Sequence, residues 1–187
     1  MTWIQTWTGR KFSLLDPQPE DVCIEDIAHA LTNICRFNGH CRGFYSVAQH
    51  SVHVADLVPT PYKLDALLHD AGEAYYGDIT RPQKEIYRQI THHETRCGPM
   101  CDFDNFIRRI DKIIAMALHL STPTPDCVHH ADNVMLATEA RDLMRKPPEP
   151  WVSLPQPLPH TVTPWPQDEA HEQFMRIYEE ISRDERL

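Results

Sequence analysis

Apolar positions recur at helical spacing through most of this chain. After a lead-in over residues 1–20, where Trp3, Trp7 and Phe12 stand among polar residues, Ile24, Ile27, Leu31 and Ile34 follow at i, i+3, i+7 and i+10 and predict a first helix. Asn38-Gly39 breaks that pattern. Ser46 is a suitable N-cap for a helix running to Leu57, which Pro59-Thr60-Pro61 stops. Leu64, Leu67, Leu68, Ala71 and Ala74 predict one continuous helix ending at Gly77, and Arg81-Pro82 opens a short one over 83–90. The clearest stripe is Phe103, Phe106, Ile107, Ile110, Ile113, Ile114 and Ala117, on a helix over 102–120. Pro123 and Pro125 separate it from a helix over about 126–144, and a last helix spans about 168–183. No segment sustains strand alternation, so the expected fold class is an all-α bundle.

Composition adds a second kind of segment. Eight of the 16 prolines lie between Pro147 and Pro166. Proline removes a backbone donor and breaks helix interiors, so this stretch is expected to be extended, polyproline II-like, and wrapped over the surface with Trp151 and Trp165 as anchors. The chain then reads as one domain, with its core over about 24–144. At 41% hydrophobic and 24% charged, its 187 residues can bury a core. The net charge of −9 disfavours a partner such as duplex nucleic acid, whose binding needs phosphate neutralisation. No apolar run approaches a membrane span, and MTWIQTWTGRKF lacks a signal-peptide core, so a cytoplasmic location is expected. Cys23, Cys35, Cys41, Cys97, Cys101 and Cys127 form no C-x-x-C pair or zinc-ribbon spacing, and are expected to be reduced thiols.

Twelve histidines direct attention to the ionisable groups that interrupt the apolar stripes. His50 falls between Val47 and Val54 on the buried side of its helix. His69 and Asp70 follow Leu67-Leu68, and Glu73 shares their face at i+4 and i+3. Asp132 lies between Val128 and Met135 beside the buried stripe of its own helix. Burying carboxylates without compensation is costly, whereas two imidazoles and two carboxylates suit a divalent first-row metal. His29, His53 and His119 read as satisfied or solvent-edge histidines. His92-His93 and His129-His130 stand in polar surroundings, and Asp65 and Asp111 read as caps or solvent-facing groups.

The segments SVAQHSVHVA, LDALLHDAGEAYYGDITRPQK and HHADNVMLATEARDL resemble the HD-domain phosphohydrolases, in particular the small bacterial and phage branch of 5′-deoxynucleotidases and deoxynucleoside triphosphohydrolases. The likeness runs from about Ile24 to Leu143. It implies an HD-domain helical bundle that self-associates as a homo-oligomer, with His50, His69, Asp70 and Asp132 as metal ligands. The implied cofactor is a divalent transition metal (Co2+, Mn2+ or Zn2+), with Mg2+ as a candidate second ion. Glu73 and Asp78 match the family's catalytic carboxylates. Asp78 also reads as a cap after Gly77. Arg36 and Phe37 resemble an Arg-aromatic pair that clasps phosphate and shapes the nucleoside pocket, although the family's aromatic is often Trp. Arg42 and Lys84 are further phosphate contacts, with Arg81 a weaker one. The implied substrate is a deoxynucleotide, either dNMP or a dNTP such as dATP. Alternatives are a non-catalytic nucleotide sensor, a cyclic-nucleotide phosphodiesterase using further histidines, and a helical interaction protein.

Overall fold

Eight helices carry the architecture of the computed structural model, which describes residues 2–93, 103–151 and 153–184. They are α1 (Ile24–Asn33), α2 (Val47–Asp56), α3 (Lys63–Leu67), α4 (Glu73–Tyr76), α5 (Arg81–His93), α6 (Phe103–Ala117), α7 (Asp126–Leu143) and α8 (Gln167–Asp184). The fold is an all-α bundle. Its centre is α2, which packs against α1, α3, α7 and α8. Ser46 starts α2 by accepting a hydrogen bond from the Gln49 amide at 3.0 Å, which satisfies one of the orphan donors of the first turn. Within α2, Gln49, His50 and Ser51 are buried alongside Val47, Val52 and Val54. The helix at the middle of the core therefore carries polar groups that need partners.

The lead-in is a small antiparallel hairpin, with β1 (Trp3–Gln5) paired to β2 (Lys11–Ser13) in the register Ile4 to Phe12. Three-residue strands are too short to show alternation in the sequence. The hairpin is held by Phe12, fully buried with its ring stacked on Tyr75 at 3.6 Å between centroids. Thr8 donates to Asp26 through both its amide and its hydroxyl, at 2.7 and 2.9 Å. Residues 144–166 contain no helix or strand among those described, as the proline count requires.

One expected element is divided. The predicted helix to Gly77 stops at Leu67, turns through Leu68–Gly72, and restarts as the single turn of α4. Tight i+3 bonds run from Ala71 N to Leu68 O and from Glu73 N to Asp70 O. His69 Nδ1 bonds the carbonyl of Ala66 at 2.7 Å. His69 and Asp70 thus sit in a break between helices, not inside one. Gly72 permits that break, because a Cβ there would lie 2.3 Å from Asp111 Oδ1 and 2.6 Å from the Tyr76 hydroxyl. Asp65 also departs from its expected place at the surface. It is buried and accepts from the Ser121 amide and hydroxyl at 2.7 and 3.0 Å, which pins the segment after α6 against α3. Asp111 is exposed and accepts from Tyr76.

Cys23, Cys35, Cys41 and Cys127 are free thiols; Cys97 and Cys101 lie outside the described residues, as do the side chains of His92 and His93. No described helix is long and apolar enough to cross a membrane.

Candidate functional site

α2, the break after α3, and α7 meet at one point. α2 delivers His50, the break delivers His69 and Asp70, and α7 delivers Asp132. His50 Nε2 lies 3.3 Å from His69 Nε2 and 3.3 Å from Asp132 Oδ1, and His69 Nε2 lies 3.2 Å from Asp70 Oδ2. The wider pairs are His50 Nε2 to Asp70 Oδ2 at 3.8 Å and His69 Nε2 to Asp132 Oδ1 at 4.0 Å. Ligands about 2.0–2.2 Å from a shared first-row cation stand about 3 Å apart when adjacent and about 4 Å apart when opposite. The observed spacings fall in that range.

The outer nitrogens set the orientation of both rings. The Ala66 carbonyl can only accept, so His69 Nδ1 carries a proton and, in the neutral ring, Nε2 presents its lone pair. His50 Nδ1 is 2.6 Å from Glu139 Oε1, and Glu139 is a carboxylate within a fully buried side chain. Two neutral rings so held would face each other lone pair to lone pair, which calls for a positive centre between them. In the protein alone a proton supplies it. Burial and the Arg36 charge push His50 down, but Glu139 and the bond to Asp132 outweigh them and raise it to about 9. Against burial, the bond to His50 pulls Asp132 down to about 2. Against burial likewise, the adjoining His69 and its hydrogen bond hold Asp70 well below the carboxylate range. The ligand atoms of His50, His69 and Asp70 all lie within 4.8 Å of one another and would suit a divalent cation, with Asp132 Oδ1 3.3 Å from His50 Nε2 at its side.

Glu139 was not among the candidates from sequence. It bonds His50 Nδ1, accepts from Arg36 Nε at 3.0 Å and accepts from the Tyr45 hydroxyl at 3.0 Å. Its carboxyl stays low despite burial because Arg36 and His50 flank it. The available signal was its place two helical turns after Asp132, on the same face of α7. Such a partner orients a ligand imidazole and raises its basicity.

Beside the cluster opens a cavity of about 590 Å3 whose lining includes Arg36, Phe37, Asp70, Glu73, Asp78, Lys84 and Asp132. Glu73 is 4% exposed and its Oε2 has no hydrogen-bond partner among the described residues. Burial, then the charges of Asp70 and Asp78, push its carboxyl well above the usual range. Asp78 is also raised by burial, partly offset by Arg36. One oxygen of Asp78 accepts from the Phe37 amide at 3.1 Å. Phe37 has φ +56°, a left-handed conformation that costs a bulky residue about 1–2 kcal/mol, so Asp78 helps to hold a strained residue at the cavity wall. Asn38, also left-handed, is tied to Gln83 at 2.9 Å.

Arg36 is 8% exposed and engages Glu139 and Asp70 through Nε and Nη1. Although burial works against its charge, Glu139 and Asp70 keep it firmly protonated. Lys84 lines the cavity; so does Arg81, which is exposed as its sequence context implied and reaches Asp132 at 3.4 Å and Asn133 at 2.7 Å. Arg42 departs from expectation. It is exposed, it does not line the cavity, and its amide bonds the Leu143 carbonyl. His29 stacks on Trp7, and His53 packs against Trp165, away from the cluster. His129 and His130 are exposed.

No family model matches the chain. It is 44% identical over 91 residues to an uncharacterized protein of Rhodobacter capsulatus, an alignment that spans 44% of this chain and 46% of that one. It is 36% identical over 186 residues to the uncharacterized protein YfdR of Escherichia coli (strain K12), covering 97% of each. With that identity sustained along essentially the whole length of both proteins, the chain belongs to the same family as YfdR.

Proposed function

We propose that this protein is a divalent-metal-dependent phosphohydrolase of 2′-deoxynucleotides, built as an HD-domain enzyme. One observation carries the reading: two imidazoles with locked outer nitrogens converge with Asp70 and Asp132, and those two carboxylates line a cavity together with Glu73, whose buried Oε2 has no partner among the described residues. A cation bound there would polarise a phosphate oxygen and lower the pKa of a water. Glu73, whose carboxyl is pushed up by burial and by the charges of Asp70 and Asp78, is set to exchange a proton with the attacking water or the leaving oxygen. Arg36 and Lys84 would take the non-reacting phosphate oxygens. A divalent cation held there would add positive charge beside Asp70, Asp78 and Asp132 and favour an anionic substrate. The deoxy sugar in this reading comes from the resemblance of the ligand segments to the deoxynucleotide branch of that superfamily.

The test is product analysis. Purified protein is incubated with each dNMP and dNTP and with Mn2+, Co2+, Zn2+ or Mg2+ in turn. Deoxynucleoside plus orthophosphate from dNMP is the nucleotidase outcome; deoxynucleoside from dNTP is the triphosphohydrolase outcome. Absence of turnover with every metal, together with nucleotide binding, would replace the reading with a non-catalytic sensor.

A further inference from the structure

The metal-centre reading leaves part of the cavity wall unused. Besides the charged residues, the lining includes Phe37, Leu136, Pro150, Trp151 and Leu154. Three of these come from the Pro-rich segment, and the structure shows how that segment is held. From Leu158 onward it is fastened to the helices that carry the ligands. The Leu158 amide donates to Thr138 at 2.9 Å, and the Val162 amide to Asp142 at 2.9 Å. Gln49, next to His50, donates to the Thr163 carbonyl at 2.8 Å and accepts from the Trp165 amide at 2.9 Å. Between the end of α7 and this anchored stretch, Pro150, Trp151 and Leu154 line the cavity.

The two tryptophans of the segment differ in use. Trp165 is packed on His53 and against the core. Trp151 is 40% exposed although it lines a cavity. Its ring stands 6.1 Å from Phe37 and is tilted by 50°, so the two rings, both lining the cavity, do not stack on each other. A large indole left half-solvated beside a strained aromatic, in a cavity that Arg36 and Lys84 also line, matches a ligand with an anionic end and a planar apolar end.

We infer that Trp151 is the base-stacking residue of this site, and that the Pro-rich segment is its nucleobase-recognition wall. The indole face takes the heterocycle, and Phe37 meets its edge while Arg36 holds the phosphate. This inference rests on the nucleotide reading above. It adds a specificity determinant supplied by the segment between α7 and α8.

Base–aromatic stacking is worth about 5- to 150-fold in affinity. In the full-length protein with added metal, W151A is expected to raise KM for a dNMP about 10- to 100-fold. It should leave kcat/KM for deoxyribose 5-phosphate, which has no base, unchanged, and W151F should restore most of the dNMP affinity. A metal-independent readout accompanies this. Deoxynucleoside should quench the tryptophan emission of the wild type, deoxyribose 5-phosphate should not, and W151F should lose the quench. Equal effects of W151A on both substrates, or quenching that persists in W151F, would overturn the stacking role. If nucleotides are hydrolysed in either case, the proposed function stands without it. If no nucleotide is hydrolysed with any metal, the hydrolase reading falls and the quench alone decides the stacking role.

Discussion

Two cavities of nearly equal size flank the break between α3 and α4, about 590 Å3 on the Asp70 side and about 560 Å3 on the His69 side. The second is lined by Asp65, Arg108, Asp111, Lys112, Ser121 and His129 among others. Its buried carboxylate, Asp65, is fully engaged by Ser121, and Asp111 is exposed and engaged by Tyr76. The first contains a buried carboxylate oxygen with no partner among the described residues, a buried arginine, and a phenylalanine held in a left-handed conformation. Volume does not separate the two. The unpartnered Glu73 oxygen and the strained Phe37 do, because both cost free energy and both border the first cavity.

The comparison breaks most sharply at the metal ligands. H69A or D70A is expected to lose bound metal and to reduce nucleotide turnover to background, measured by metal analysis of the purified protein alongside product chromatography. Full turnover without metal in either variant would leave the first cavity no more special than the second. Next is E73Q, which should keep the metal and lose turnover by about 10²–10⁴-fold; loss of metal instead would make Glu73 a ligand or a structural support.

Glu73 also predicts a pH dependence of stability in the metal-free protein. Its folded carboxyl binds protons more tightly than the unfolded one. Between the ordinary glutamate value and its raised value, the native state holds the extra proton, so stability must fall as pH rises through that window. Melting temperature against pH should show this decline, and E73Q should flatten it.

E139Q tests the support of the cluster. It leaves His50 and Arg36 short of a buried charge, so a loss of about 3–5 kcal/mol in stability is expected from denaturant unfolding. Metal affinity should weaken about 10- to 100-fold. The smallest effect belongs to the second cavity. K112A, at an exposed position there, should change stability by about 0.5 kcal/mol or less and leave turnover as in the wild type. A strong activity loss in K112A would show that the second cavity takes part after all.

The periodicity of apolar residues was enough to determine the all-α class, because helical spacing is a local property read within a few turns. It also located the start of α2 at Ser46, since a cap needs only the residues of the first turn. His50, His69, Asp70 and Asp132 could be singled out because each interrupts an apolar face, and a buried charge demands an explanation wherever it lies. The hairpin of β1 and β2 escaped notice, as three-residue strands show almost no period. The break at Leu68–Gly72 escaped for a different reason. Apolar spacing continues across it, and the departure depends on a bond from His69 to Ala66 and on the close approach of Asp111 and Tyr76 to Gly72.

Tertiary structure alone decided which side chains meet. Glu139 lies 89 residues from His50 and 103 from Arg36 in the chain, yet it joins them in one buried network. Arg42, six residues from Arg36, is turned out to solvent, while Trp151 is brought to Phe37 from the far side of α7. Sequence spacing sets the face of a helix on which a residue stands. The packing of helices, and the hydrogen bonds that strap the Pro-rich segment to α2 and α7, set what that face confronts.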